Sequence, residues 1–193
     1  MMLLRPDTQD VQHALQTLRD GGVLLYPTDT IWGLGCDPHN LEAVSKIQQI
    51  KGRSEEKRLI LLLENESQLE SYVREVPDVA YQLIEYADRP LTILYSGAKN
   101  LPESLIGEDQ TIGIRIVKHP FCQELLKRWR KPLVSTSANF TGQPAPSGFE
   151  DIEKELKEQV DYIVEYGQHE KGNGIPSVIM KLEPGGKFEF IRK

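Results

Sequence analysis

The chain has 193 residues and a formal net charge of −6, with 23 lysines and arginines against 29 acids. That length suits one domain with a sizeable core, and a composition of 39% hydrophobic and 27% charged residues excludes a disordered or collagen-like chain. The acidic balance argues against a dedicated nucleic-acid binder, because neutralising phosphates takes clustered lysines and arginines, so any anion site must be local. No apolar run approaches the roughly 20 residues of a bilayer span, and residues 1–10 lack the pattern of a signal peptide, so a cytoplasmic location is expected. Cys36 and Cys122 are too few and too far apart for a disulfide framework or a zinc cluster, and reduced thiols are expected. The sequons at Asn65 and Asn139 carry no weight without a secretory signal.

In chain order, Val11, Leu15 and Leu18 recur at helical spacing over residues 8–19, with Asp7 or Thr8 to cap the start and Gly21-Gly22 to stop it. Residues 23–26 read as a buried strand ended by Pro27, and a polar loop is expected over 28–35. Asn40 caps a second helix whose Leu41, Val44, Ile47 and Ile50 share a face, and this helix runs straight into the basic segment 51–58. Further strands are expected at 59–63, 91–95, 111–117 and 132–139, and helices at about 78–87, 120–129 and, as an acidic helix, 150–159. A Gly/Pro-rich loop spans 141–148, and a closing hairpin pairs 177–182 with 187–192 around Pro184-Gly-Gly. The pattern is α/β.

Common nucleotide signatures are missing. There is no Gly-x-x-x-x-Gly-Lys-Ser/Thr loop, and Gly33-Leu-Gly35 only begins a dinucleotide fingerprint, with Pro38 where its third glycine belongs. Neither a Gly-x-Ser-x-Gly elbow nor a His-Glu-x-x-His helix is present, the four histidines do not cluster, and no metal-ligand set is read. Lys51, Arg53 and Lys57 sit on a short segment pinned between a helix and a strand. It suits a polyphosphate, but it also suits a solvated connector paired with Glu55 and Glu56. Ser135-Thr-Ser137-Ala-Asn139 places hydroxyls and an amide at a strand end, where they either orient ligand oxygens or cap a turn. Tyr26-Pro-Thr-Asp-Thr30 also ends a strand. In 111–115, alternation puts Thr111, Gly113 and Arg115 on one face; Arg115 is harmless on an edge strand and costly in the interior unless it meets an anion.

Taken together, the segments 26–35, Lys51-Gly-Arg53 with Lys57, 111–115 and 135–139 resemble the YrdC/Sua5 family in content, order and spacing, from about residue 21 to 192. The length is similar to that of the short members, as one YrdC-like domain over 1–193. The resemblance implies a twisted, mainly parallel or mixed sheet flanked by helices around a basic concave cavity. It also implies a reaction in which L-threonine, bicarbonate and ATP give L-threonylcarbamoyladenylate and pyrophosphate with Mg²⁺ assisting, for threonylcarbamoyl modification of tRNA by a downstream transferase complex. Matching positions imply contacts to threonine and its carbamate from Thr30, Arg115, Ser135 and Ser177. ATP contacts are implied from Arg53, Lys57, Thr111, Ser137 and Arg192, with Lys51 and Asn139 completing the two signature motifs. Ser54, Arg58, Leu62 and Ala145 depart from the usual pattern. The rival readings are a YciO-like paralogue without synthase activity, or a double-stranded RNA or tRNA-binding module using the same cavity.

Overall fold

The computed structural model describes residues 6–52, 59–170 and 174–193. Helix α1 (Thr8–Arg19) begins where the Asp7 carboxylate accepts the Gln9 amide at 2.9 Å. It ends before Gly21, which turns the chain at φ +78°, and a Cβ there would strike the Asn40 side chain at 2.4 Å. Strand β1 (Leu24–Tyr26), strand β2 (Gly33–Cys36) and helix α2 (Leu41–Ile50) follow, the last capped by Asn40 accepting from the Ala43 amide at 3.0 Å. Then come β3 (Ile60–Leu63), the single-turn α3 (Leu69–Tyr72), α4 (Asp78–Glu85), β4 (Leu91–Ser96) and β5 (Thr111–Ile116). The chain continues through α5 (Pro120–Trp129), β6 (Leu133–Ser137), the short α6 (Lys154–Lys157), β7 (Tyr162–Ile163), β8 (Val178–Leu182) and β9 (Phe188–Arg192).

The strands form one sheet in the order β7-β1-β2-β6-β3-β5-β4-β8-β9. It is mixed, as expected; of the two descriptions offered, parallel neighbours are the minority, limited to β1/β7, β3/β5 and β4/β8. The other five pairings are antiparallel: three join consecutive strands, β1/β2, β4/β5 and β8/β9, and two set β6 between β2 and β3.

Register explains where the core and the site lie. Leu24, Gly35, Ser135, Ile60, Gly113 and Leu94 stand in one row across the sheet, so they share a face. Their neighbours Leu25, Leu34, Val134, Leu61, Ile114 and Ile93 take the opposite face and pack into the main apolar cluster, which α2 and α4 cover with Val44, Ile47 and Ala80. On the first face, Leu24, Tyr26, Leu62 and Leu133 pack under α1 and α5 as a second cluster. Those helices cover one end of that face, and its polar remainder carries Thr111, Arg115, Ser135 and Ser137.

Two expectations are corrected. The polar loop 28–35 is shorter, because Gly33–Cys36 is a fully buried strand held between β1 and β6. Its glycines serve packing: a Cβ on Gly35 would sit 2.6 Å from the Tyr26 ring and 2.8 Å from the Val134 carbonyl. The acidic helix 150–159 is a 3-10 turn (Phe149–Asp151) followed by one helical turn, broken so that Ile152 and Leu156 both reach the core. Five acids in that stretch also repel one another at helical spacing. Strand β7 and helix α3 are too short to announce themselves by periodicity.

Candidate active site

Arg115 lies on β5, a central strand between β3 and β4, and is only 4% exposed. The edge-strand alternative is thereby settled: the guanidinium is buried and needs partners. One Nη donates to Thr30 Oγ1 at 2.9 Å, the other stands 3.5 Å from the Asp29 carboxylate, and among the described residues Nε has no hydrogen-bond acceptor. Asp29 is held in turn by the Lys118 amide at 3.0 Å, and Thr30 by an exchange with Thr28 Oγ1 at 2.9 Å. The loop after β1 therefore supplies the countercharge and a hydroxyl, and leaves most of a bidentate donor fork uncommitted.

Two more hydroxyl pairs flank this group. Tyr26 donates to Ser135 Oγ at 2.7 Å, and burial pushes the Tyr26 phenol far above its usual range, so it stays a neutral donor. Ser177 Oγ lies 2.8 Å from Thr92 Oγ1, and Thr92 stands opposite Arg115 in the β4/β5 register. Arg192 reaches back from β9 and donates to the Ser177 carbonyl at 2.8 and 3.1 Å. Desolvation, then the field of Arg115, lowers the Arg192 pKa, so the two guanidiniums feel one another across the site.

A second group forms at the end of β6. The Lys51 ammonium, 1% exposed, donates to the Ser137 carbonyl at 2.6 Å, to the Asn139 carbonyl, and to Asn139 Oδ1 at 3.1 Å. Thr111, buried at the start of β5, donates to Asp109 Oδ1 at 2.7 Å. The structure thus brings Thr30, Arg115, Ser177 and Arg192 into one linked set, Lys51, Ser137 and Asn139 into another, and places Ser135 on the same face between them. Arg53 and Lys57 lie outside the described residues, so the expected basic cavity is not resolved by them. A cavity of about 220 Å³ that reaches Asp29 is lined mostly by apolar groups such as Ile84, Leu91 and Ile116, with Arg89 and Lys118 beside them.

Sequence reasoning passed over three partners: Asp29, Thr92 and the Tyr26 hydroxyl. Asp29 and Tyr26 stand in the segment that was singled out, but nothing local shows that they face Arg115 and Ser135. Thr92 was legible as the one hydroxyl among the apolar residues at the start of a strand. Among the described residues His119 Nδ1 is buried without a hydrogen-bond partner, and burial lowers its pKa to about 4, the Asp29 charge opposing that shift and the Arg115 charge adding to it. Among the described residues no group of three or more His, Cys, Asp or Glu could hold a metal ion. Both cysteines are free and buried.

Buried guanidinium, flanking hydroxyls and a strand-end turn on an α/β sheet have the chemistry to hold a small ligand carrying carboxylate or phosphate oxygens. A family model for Sua5/YciO/YrdC proteins, described as "Telomere recombination", matches residues 16–193, and the chain belongs to this family. It is 37% identical over 185 residues to the threonylcarbamoyl-AMP synthase of Pseudoalteromonas translucida, covering 94% of this chain and 98% of that one. The same identity holds over 175 residues with the protein of that name from Pseudomonas aeruginosa, at 90% and 93% coverage. Among solved structures, E. coli YciO superposes with a TM-score of 0.84 at 27% identity, covering 99% of this chain and 93% of that one. P. abyssi Sua5 complexed with L-threonine also gives 0.84, at 25% identity over 94% of this chain, which spans 53% of that protein.

No helix among the described residues is long and apolar enough to cross a membrane.

Proposed function

We propose that this chain is an L-threonylcarbamoyladenylate synthase, a nucleotidyltransferase that joins L-threonine, bicarbonate and ATP into threonylcarbamoyl-AMP with release of pyrophosphate. The observation that carries the reading is Arg115: a guanidinium buried in mid-sheet, hydrogen-bonded among the described residues only to Thr30, with its fork left for a carboxylate. Relatives at 37% identity that bear the synthase name support it more strongly than YciO at 27%. A broad RNA footprint is not favoured by a net charge of −6.

In this reading Arg115 and Thr30 take the threonine carboxylate, and Ser135 and Ser177 orient its hydroxyl and carbamate. The threonine amine condenses with bicarbonate, losing water, to a carbamate. A carbamate oxygen then attacks the α-phosphorus, the bond to the bridging oxygen breaks, and pyrophosphate leaves with that electron pair. The nucleophile is already an anion, so its activation needs no base, and positioning with electrostatic stabilisation supplies most of the acceleration. Arg53, Lys57, Thr111, Ser137 and Arg192 are assigned to ATP; Arg192 is preset by its bonds to Ser177 so that the nucleotide and amino-acid halves meet.

In this reading Mg²⁺ enters with the polyphosphate substrate, the usual way magnesium enters such reactions. The reading places the reaction in the cytoplasm, treats residues 1–193 as one domain, and hands the product to a separate transferase acting on tRNA. Pyrophosphate release from ATP, measured with and without threonine and bicarbonate, tests it. Release should require both; a rate indifferent to threonine would falsify the synthase assignment.

A further inference from the structure

We infer that Lys51 is a positioning residue that fixes the turn at the end of β6, and with it the phosphate half of the site, instead of touching the nucleotide itself. The inference rests on the synthase reading for its consequence and on contact geometry for its substance. An ammonium has three N–H donors. Those of Lys51 meet the carbonyl of Ser137 at 2.6 Å, the carbonyl of Asn139, and Asn139 Oδ1 at 3.1 Å, with Ser137 Oγ at a longer 3.4 Å. Donating to a phosphate oxygen would mean giving up one of these bonds inside a pocket that leaves Lys51 1% exposed.

The backbone of the same residue closes the turn from the other side, since the Lys51 carbonyl accepts the Thr141 amide at 3.1 Å. One residue thus grips 137, 139 and 141. The Asn139 carboxamide passes the constraint onward by donating to the Phe140 carbonyl at 3.0 Å and the Gln143 carbonyl at 2.7 Å. Behind the turn, the Ala138 amide is fixed to the Trp32 carbonyl at 2.9 Å, so the turn is held to β2's approach as well. Lys51 caps α2, so the strut ties the end of that helix to the Ser137–Asn139 turn, 86 to 88 residues away in sequence. A lysine suits this task and an arginine does not: a compact ammonium fits among three converging oxygens, whereas a planar fork needs more room and leaves donors unmatched.

The experiment uses the full chain as wild type, Lys51→Met, Asn139→Ala and the double variant. It reads kcat/KM for ATP, binding of inorganic tripolyphosphate, and amide hydrogen exchange across 137–143. Each single change should lower kcat/KM about 10- to 100-fold through misplacement of the turn. The double should be no worse than the more damaged single, because both cut the same strut. Exchange at 140–143 should accelerate in both singles, and any loss of tripolyphosphate affinity should appear only together with that acceleration. Additive losses, or weakened tripolyphosphate binding with unchanged exchange, would instead make Lys51 a phosphate contact and overturn the inference. Should Lys51→Met fail to fold, Asn139→Ala still decides through exchange: acceleration at 140–143 supports the strut and a wild-type pattern rejects it. Exchange needs no substrate, so the strut is judged even if pyrophosphate release rejects the synthase reading.

Discussion

Arg115 shows how a single residue changes meaning with its surroundings. In the sequence it alternates with Thr111 and Gly113 and is compatible with either an edge or an interior strand; in the fold it is a buried cation whose nearest countercharge, Asp29, stands at 3.5 Å. Arg115→Lys keeps the charge and loses the fork, so threonine-dependent pyrophosphate release should fall about 100-fold or more, in line with the loss of one preorganised donor group. His119 carries a pH prediction of its own. The folded imidazole takes a proton only near pH 4, against an ordinary value of 6.5, so between these values the unfolded chain holds more protons and stability falls as the pH drops. The loss begins below the upper value and is complete below the lower one. The slope should stay under about 1.4 kcal/mol per pH unit, because one imidazole changes the difference in bound protons by at most one. Urea midpoints at several pH values should show this slope, and His119→Gln should flatten it.

At the scale of elements, helix ends were legible and strand partners were not. Caps act within three residues, so Asp7 and Asn40 could be read directly, and α1 and α2 run where expected. Asn40→Ala should cost about 1 kcal/mol in a urea titration. Strand β2 escaped notice because Gly33 and Gly35 have no strand propensity of their own; the strand exists because β1 and β6 bond both of its edges. The tie between α1 and the segment after β7 was equally silent. Asp10, 3% exposed, accepts the Tyr162 hydroxyl at 2.8 Å and the Glu165 and Tyr166 amides at 3.1 and 2.9 Å. Asp10→Ala would strand three donors, so it should destabilise the fold by about 2–4 kcal/mol and speed exchange at 165 and 166 before global unfolding.

At the scale of the whole molecule, the sheet separates its two tasks by face. One face is filled with Leu25, Leu34, Leu61, Ile93, Ile114 and Val134. The other is apolar only where α1 and α5 cover it, and polar where the site lies. Ile114→Ala, on the filled face behind Arg115, should cost about 3 kcal/mol in stability yet leave KM for threonine close to wild type, which kinetics below the melting range would check. By itself the sequence determined what short-range physics controls: capped amphipathic helices, apolar strand runs, the terminal hairpin, and four ordered segments whose joint pattern marks the family. Only the tertiary structure decided that Arg115 is interior, that Asp29 and Thr92 complete its surroundings, and that Lys51 braces the Ser137–Asn139 turn. Those facts depend on pairing register between strands distant in sequence, and side-chain periodicity states which residues share a face without stating which strand lies beside which.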